Sequence, residues 1–257
     1  MAHVRIGRAR RRYSAGVAVS AGPLGELLTL STVPLAVRGD PGSTGTGFFL
    51  DLALGDEPAA PVLVTARHVL DRGEELAVGL HGVAPDGAPA GHRAVRMPSL
   101  SQIAIPHPDE TVDLAVIPAD RLLASSDGFR PFRALIGLRH VVPQSELSAI
   151  EDLWVIGYPL TLWDRRNNRP LVRRGITATD PRIPYEGRPE FLVDAACFPG
   201  TSGAPVVAAI DADKPAVRLL GVLVGSPVLG DGQGPSLDLG VAVDARCLFA
   251  FRTLLVG

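Results

Sequence analysis

The sequence predicts an all-β chain, with two packed strand-rich units followed by one short C-terminal helix. Three observations carry that prediction. The 23 prolines and 28 glycines are spread along the chain rather than concentrated, a distribution that suits many short strands joined by turns better than long helices. Short apolar or alternating runs recur in two series separated by a longer, mixed segment, which implies two packed barrels or sandwiches rather than one sheet. At the end of the chain the apolar period changes from that of a strand to that of a helix.

Taken in order, residues 1–25 hold the basic run RARRR, but Gly, Ser and Pro break up the next dozen residues before they become strongly apolar. This segment therefore reads as a flexible arm rather than a secretory leader. The first unit, 26–135, contains the runs TLSTVPLAV, GTGFFLDL, PVLVTARHVL, ELAVGL, AVRMPSL, QIAIP and DLAVIPA, each of strand length and mostly bounded by Gly, Pro or Asp. The mixed stretch SSDGFRPFRALIGLRHVVPQSELSAIEDL reads as a crossing between units. In the second unit, 136–245, the runs are LWVIGYP, LVRRGITATD, FLVDAAC, APVVAAI, VRLLGVLVG and LDLGVAV. In residues 246–257, Leu248, Phe251 and Leu255 fall at i, i+3 and i+7, with Arg246 and Arg252 left for a wet face, so a short closing helix is expected.

Composition narrows the function classes. The 257 residues are 46% hydrophobic, enough for a sizeable core, and the formal charge of −2 supplies no overall basic field for nucleic acid. Lys214 is the only lysine and sits in the turn-like DADKP, so P-loop and Schiff-base chemistry have no motif here. Cys197 and Cys247 lack metal spacing and read as free buried thiols, so neither a metal nor a cofactor is expected. No apolar stretch approaches the ~18 to 20 residues of a membrane span, and with few cysteines the expected compartment is the cytoplasm.

One stretch, FPGTSGAPVV, places Ser202 among small residues just ahead of an apolar run. Its residue types are also ordinary turn chemistry, so Ser202 is either a turn residue or a nucleophile, and a nucleophile needs a base and a carboxylate elsewhere. Among six histidines, His3 is in the arm, and His81, His92, His107 and His140 lie in polar or Pro/Gly-flanked stretches that read as exposed loops. His68 lies at the end of the buried-looking run PVLVTARHVL, where Thr65 and Ala66 leave room. Taken alone, a histidine beside apolar residues is more often a satisfied core residue. Asp113 heads the apolar run DLAVIP, either facing water or held by a partner. The chain order His68, Asp113, Ser202 is that of chymotrypsin-type sites. No histidine follows Ser202, and Ala204 stands where a GxSxG elbow needs glycine, so the α/β-hydrolase arrangement is excluded.

TARHV, DLAVI and PGTSGAPV resemble the His, Asp and Ser motifs of trypsin-like serine endopeptidases, nearest the bacterial HtrA-like branch. GTGFFLDL, VIGYP, RRGITA and DAACFPGTSGAP resemble further strands of that family, and the likeness runs over about residues 30–245. The resemblance implies two perpendicular six-stranded antiparallel β-barrels with the site between them. It also implies a serine endopeptidase in which His68 is the base, Asp113 its orienting carboxylate and Ser202 the nucleophile, working through an acyl-enzyme on a polypeptide substrate. The N–H groups of Gly200 and Ser202 would form the oxyanion hole, with Gly203 and Ala204 keeping the substrate's approach open. Ala196, Gly225 and Ser226 would shape a pocket for small or medium apolar side chains.

In two respects the sequence departs from that pattern. Thr201 stands where secreted trypsin-like chains carry Asp and HtrA-like chains usually Asn, and no PDZ-sized segment follows. A non-catalytic module gripping an extended peptide in the same cleft, an esterase on the same fold, and a regulatory protein partner all remain open readings.

Overall fold

The protein is described here by a computed structural model covering residues 24–38, 44–71, 73–124, 129–132, 136–159, 162–208, 216–227 and 237–256. Helix α1 (Leu24–Ser31) leads into β1 (Thr32–Arg38), β2 (Thr44–Asp51), β3 (Pro61–Ala66), α2 (Arg67–Leu70), β4 (Glu75–Val83) and β5 (Pro89–Pro98). Then come α3 (Leu100–Ile103), β6 (Ile105–Pro106), β7 (Leu114–Pro118), α4 (Ala119–Ala124) and β8 (Ile136–Gly137). The second half holds β9 (Asp152–Gly157), β10 (Leu171–Thr177), β11 (Glu190–Asp194), β12 (Pro205–Ala208), β13 (Leu219–Gly225) and β14 (Leu239–Asp244), closed by α5 (Phe249–Leu255). Every apolar run of the sequence reading overlaps one of these strands.

The second half is a closed six-strand barrel in the order β10-β11-β14-β13-β12-β9. The first half differs from the expected six-stranded barrel. Its sheet has eight strands in the order β5-β4-β1-β2-β3-β7-β6, with β8 paired to β2, and no pairing between β5 and β6 closes it among the described residues. The reason lies in the end strands: β6 is two residues long, and β5 is exposed along most of its length. Because β8 pairs in parallel with β2 at Leu50 and Asp51, the first sheet extends past the expected boundary at residue 135. Helix α1 likewise begins at Leu24, inside the expected arm; the remainder of the arm, with His3, and Lys214 lie outside the described residues.

The main apolar cluster is not confined to one half. Around Phe48, Leu50, Leu63 and Val116 it also gathers Ile156, Val207 and Val222 from the second barrel. The end of the chain returns to the first half, with Leu248, just ahead of α5, and Phe251, on it, fully buried and Arg252 pairing with Glu57. Burying one such Phe or Leu side chain stabilises by roughly 1.5–3 kcal/mol, so α5 fastens the halves together. The described helices include none long and apolar enough to cross a membrane.

None of the four histidines expected in exposed loops lies in one, and three of them are turned inward. His81 is buried in β4. His107 is buried too, its Nε2 donating to the Cys247 carbonyl at 3.1 Å and its Nδ1 accepting from the Asp109 N–H. His140 is partly buried, and its Nδ1 accepts from the Gly137 N–H at 2.9 Å. Burial holds His81 and His140 well below the usual imidazole range, at about 4 each. His92, in β5, is exposed.

Candidate active site

Strand pairing brings the first two residues together. β3 and β7 run antiparallel with Ala66 opposite Leu114, so the residue leaving β3 meets the residue entering β7. The Arg67 N–H donates to the Asp113 carbonyl at 3.2 Å, and the His68 N–H to Asp113 Oδ1 at 2.9 Å. The carboxylate's other oxygen, Oδ2, lies 2.6 Å from His68 Nδ1. An ionised carboxylate only accepts, so the proton of that contact sits on Nδ1 and leaves Nε2 with a free lone pair in the neutral ring. The His68 side chain is about 50% exposed and that of Asp113 27%, which puts the pair at a surface a substrate can reach.

Ser202 sits in the loop between β11 and β12. Two consecutive turns shape it. Thr201 N–H donates to the Phe198 carbonyl at 3.1 Å, with Pro199 and Gly200 (φ +91°) as the central residues. Proline followed by a residue at positive φ is the type II pattern, which glycine alone adopts without penalty. Ala204 N–H then donates to the Thr201 carbonyl at 2.9 Å across Ser202 and Gly203 (φ +92°), and Gly203 N–H to Leu223 at 2.6 Å. Thr201 is nearly buried, and its hydroxyl donates back to Phe198 at 2.5 Å. Among the described residues, neither the Gly200 nor the Ser202 N–H is taken by a protein acceptor. The hydroxyl of Ser202 donates a long bond, 3.4 Å, to the Val224 carbonyl rather than to His68.

A family model described as the trypsin-like peptidase domain matches residues 45–212, well over half of the chain. The chain belongs to the trypsin-like peptidase domain family. Two solved structures of the HtrA-type protease AlgW with tripeptide, one of them a substituted form, are similar in fold. Each has a TM-score of 0.55, at 16% and 17% identity, and each match covers 91% of this chain and 62% of the other. This chain thus spans less than two thirds of those proteins' length. No curated protein matches it in sequence.

Within this trypsin-like domain, the expected pocket residues fall near the loop. Ala196 has φ +47°, unusual for a side-chain-bearing residue, and is partly buried, while Ser226 is exposed and nothing lies within 4 Å of where a Cβ on Gly225 would project. Gly203 does something other than clear the substrate's path. A Cβ there would lie 2.0 Å from the Thr46 carbonyl and 2.4 Å from Thr65 Oγ1, so glycine is required for the loop to press against the first half. Ala204 is fully buried. Burial pushes the Cys197 thiol up to about 11, and Cys197 and Cys247 are both free. Glu190, on β11, is held above the usual carboxylate range chiefly by burial, partly offset by Arg188 and reinforced by the charge of Asp113. Among the described residues no cluster of His, Cys, Asp or Glu is arranged to hold a metal ion.

Sequence reasoning missed Thr46 and assigned Thr65 only the part of leaving room beside His68. Thr65 Oγ1 donates to the Thr46 carbonyl at 2.8 Å, and Thr46 reaches the Ser202 loop directly, its hydroxyl bonding the Gly200 carbonyl. Their only signal was small polar residues inside otherwise buried strands, where a hydroxyl must find a partner.

Proposed function

We propose that the chain is a serine endopeptidase in which Ser202, His68 and Asp113 cut peptide bonds through an acyl-enzyme. The observation that carries this reading is the double hold of Asp113 on His68, at the backbone N–H and at Nδ1. It fixes both the position and the tautomer of the imidazole, leaving Nε2 as the base. The Ser202 hydroxyl, weakly held by Val224, turns to Nε2, gives up its proton and attacks the scissile carbonyl. The Gly200 and Ser202 N–H groups stabilise the oxyanion, and His68 then returns the proton to the leaving amine. A pocket shaped by Ala196, Gly225 and Ser226 favours small or medium apolar side chains before the cut. Efficient, selective cleavage after arginine would refute that preference.

The test is labelling by a fluorophosphonate probe together with cleavage of a peptide library, wild type beside Ser202→Ala. Labelling and cleavage that both vanish in the variant support the endopeptidase. Peptide binding with no labelling in the wild type points to a binding module, and labelling with ester but no peptide turnover points to an esterase.

A further inference from the structure

The nucleophile loop is tied to the first half at one residue of β2. Thr46 is fully buried and uses all its polar groups. Its N–H donates to the Ser202 carbonyl at 2.8 Å, and its own carbonyl accepts from Thr65 Oγ1 at 2.8 Å. Its hydroxyl lies 3.0 Å from the Tyr158 N–H and 2.8 Å from the Gly200 carbonyl. The direction of both hydroxyl bonds follows from chemistry: an N–H can only donate and a carbonyl can only accept, so the single hydroxyl proton goes to Gly200.

Thr46 therefore grips the carbonyls of the same two residues, Gly200 and Ser202, whose N–H groups have no protein acceptor among the described residues. A bond to the Gly200 carbonyl restrains the peptide that follows Gly200, and a bond to the Ser202 carbonyl restrains the one that follows Ser202. Between them lie Thr201 and the Ser202 N–H. We propose that Thr46 is a positioning residue that holds the Gly200–Ser202 segment in the arrangement the oxyanion needs, before substrate binds and without a charged side chain at position 201. The inference rests on the endopeptidase reading. It assigns to a first-half hydroxyl the setting of a hole made entirely of second-half backbone, and the contact is close because Gly203 has no Cβ to hold the strands apart. Donors preset for a developing charge act mainly on the transition state, so loosening them lowers kcat more than it raises KM.

The experiment compares the full chain with Thr46→Val, which keeps the shape and removes the hydroxyl, and Thr46→Ser, which keeps the hydroxyl. Each is measured for kcat and KM on one peptide, for affinity toward a peptide boronate of the same sequence, and for its urea midpoint. The expected result for Thr46→Val is a kcat about 10- to 100-fold lower, KM within about threefold, boronate affinity falling in parallel with kcat, and an unshifted pH–rate midpoint. Thr46→Ser is expected to restore kcat to within about threefold of wild type. The proposal is overturned if Thr46→Val keeps kcat, if Thr46→Ser is as impaired as Thr46→Val, or if boronate affinity holds while kcat falls. Should Thr46→Val not fold, Thr46→Ala is read in the same way. If neither folds, Thr46 serves stability and the proposal is overturned. Failure of the underlying reading looks different: the wild type itself would then cleave no more peptide than Ser202→Ala.

Discussion

The two halves hold their site residues by different means. In the first, His68 and Asp113 are neighbours because β3 and β7 pair in a fixed register, and both bonds between them join the residues that leave and enter those strands, within the first half. In the second, Ser202 stands on a loop of two tight turns, and that loop is positioned partly by Thr46 across the boundary. The proposed base and its carboxylate are thus set by a strand ladder. The proposed nucleophile depends on how closely the halves approach. Damage to the first arrangement should appear in the chemistry, and damage to the second in stability and chemistry together.

Asp113→Asn should break the first arrangement most severely. An asparagine oxygen can still accept from the His68 N–H, but its amide donates toward Nδ1 and forces the proton onto Nε2, where the base is needed. A loss of roughly 10³- to 10⁴-fold in kcat/KM is expected, with the urea midpoint changed little. Steady-state kinetics check it, and a loss of less than about tenfold would remove Asp113 from the role assigned here.

Gly203→Ala should break the second. Its Cβ would meet main-chain oxygen of Thr46 at 2.0 Å, and its φ of +92° is unfavourable for alanine. Because neither backbone can yield cheaply, a destabilisation of about 3 kcal/mol or more is expected in urea unfolding, accompanied by loss of activity. Gly187 supplies the contrast. It also has a positive φ, +73°, but open space around it, so Gly187→Ala should cost only about 1 kcal/mol and leave kcat intact. Equal costs at the two positions would mean that φ, and not the contact between halves, governs Gly203.

The same contrast explains what the sequence could disclose. Strand-length runs mark the ladders, and a histidine and an aspartate at the ends of two such runs can be picked out because charge beside apolar residues is conspicuous. The closing helix is also legible, with Phe251 buried on α5 and Leu248 buried in the 3-10 turn that leads into it. Helix α1 is not, since LGELLTLS runs straight into the strand TVPLAVR. Ser31 and Thr32 use their hydroxyls to bond the Leu28 carbonyl, a local choice that composition does not reveal. The bond from Thr46 to Gly200 spans 154 positions of sequence, and only the packing of the halves brings its ends together. Closure of the first sheet is over-predicted for a related reason, because counting runs does not show which edges pair. Three histidines read as loop residues because their flanks are polar or contain Pro or Gly, although their rings turn inward.

His81 sharpens the comparison at the boundary between the halves. Its Nε2 lies 3.4 Å from the side-chain nitrogen of Asn168, which also donates to the Gly79 carbonyl at 2.9 Å and so links the second half to β4. Burial first, and then the charge of Arg169, lowers its folded pKa from 6.5 to about 4. Between those values the unfolded chain binds the proton and the folded chain does not. Stability should therefore rise with pH through this window, being fully present above about 6.5 and lost as pH falls toward 4. His81 contributes on the order of 3 kcal/mol to that change, and His140 acts in the same direction. Urea midpoints at pH 7.5 and 5.0 check it: His81→Gln, which keeps an acceptor for Asn168 but cannot titrate, should flatten part of the slope. An unchanged slope would show that His81 does not titrate across unfolding.

The smallest effect expected is none, and it concerns the N-terminal arm with its RARRR run. In the secreted relatives that the sequence resembles, a newly cut ammonium pairs with the Asp before the nucleophile, and that ion pair organises the oxyanion hole. Here the position is Thr201, uncharged, 5% exposed and already bonded to the Phe198 carbonyl. An ammonium brought there would be buried without a counter-charge, at a penalty of several kcal/mol, and would displace a bond that stabilises the turn. With Thr46 bracing the loop from the other half, a terminus has nothing to supply. Full-length protein and a form cut after Arg12 should therefore share the same kcat on one peptide to within about twofold. A large gain in the cut form, abolished by acetylating its new terminus, would show that the nucleophile loop is completed from the arm and not from β2.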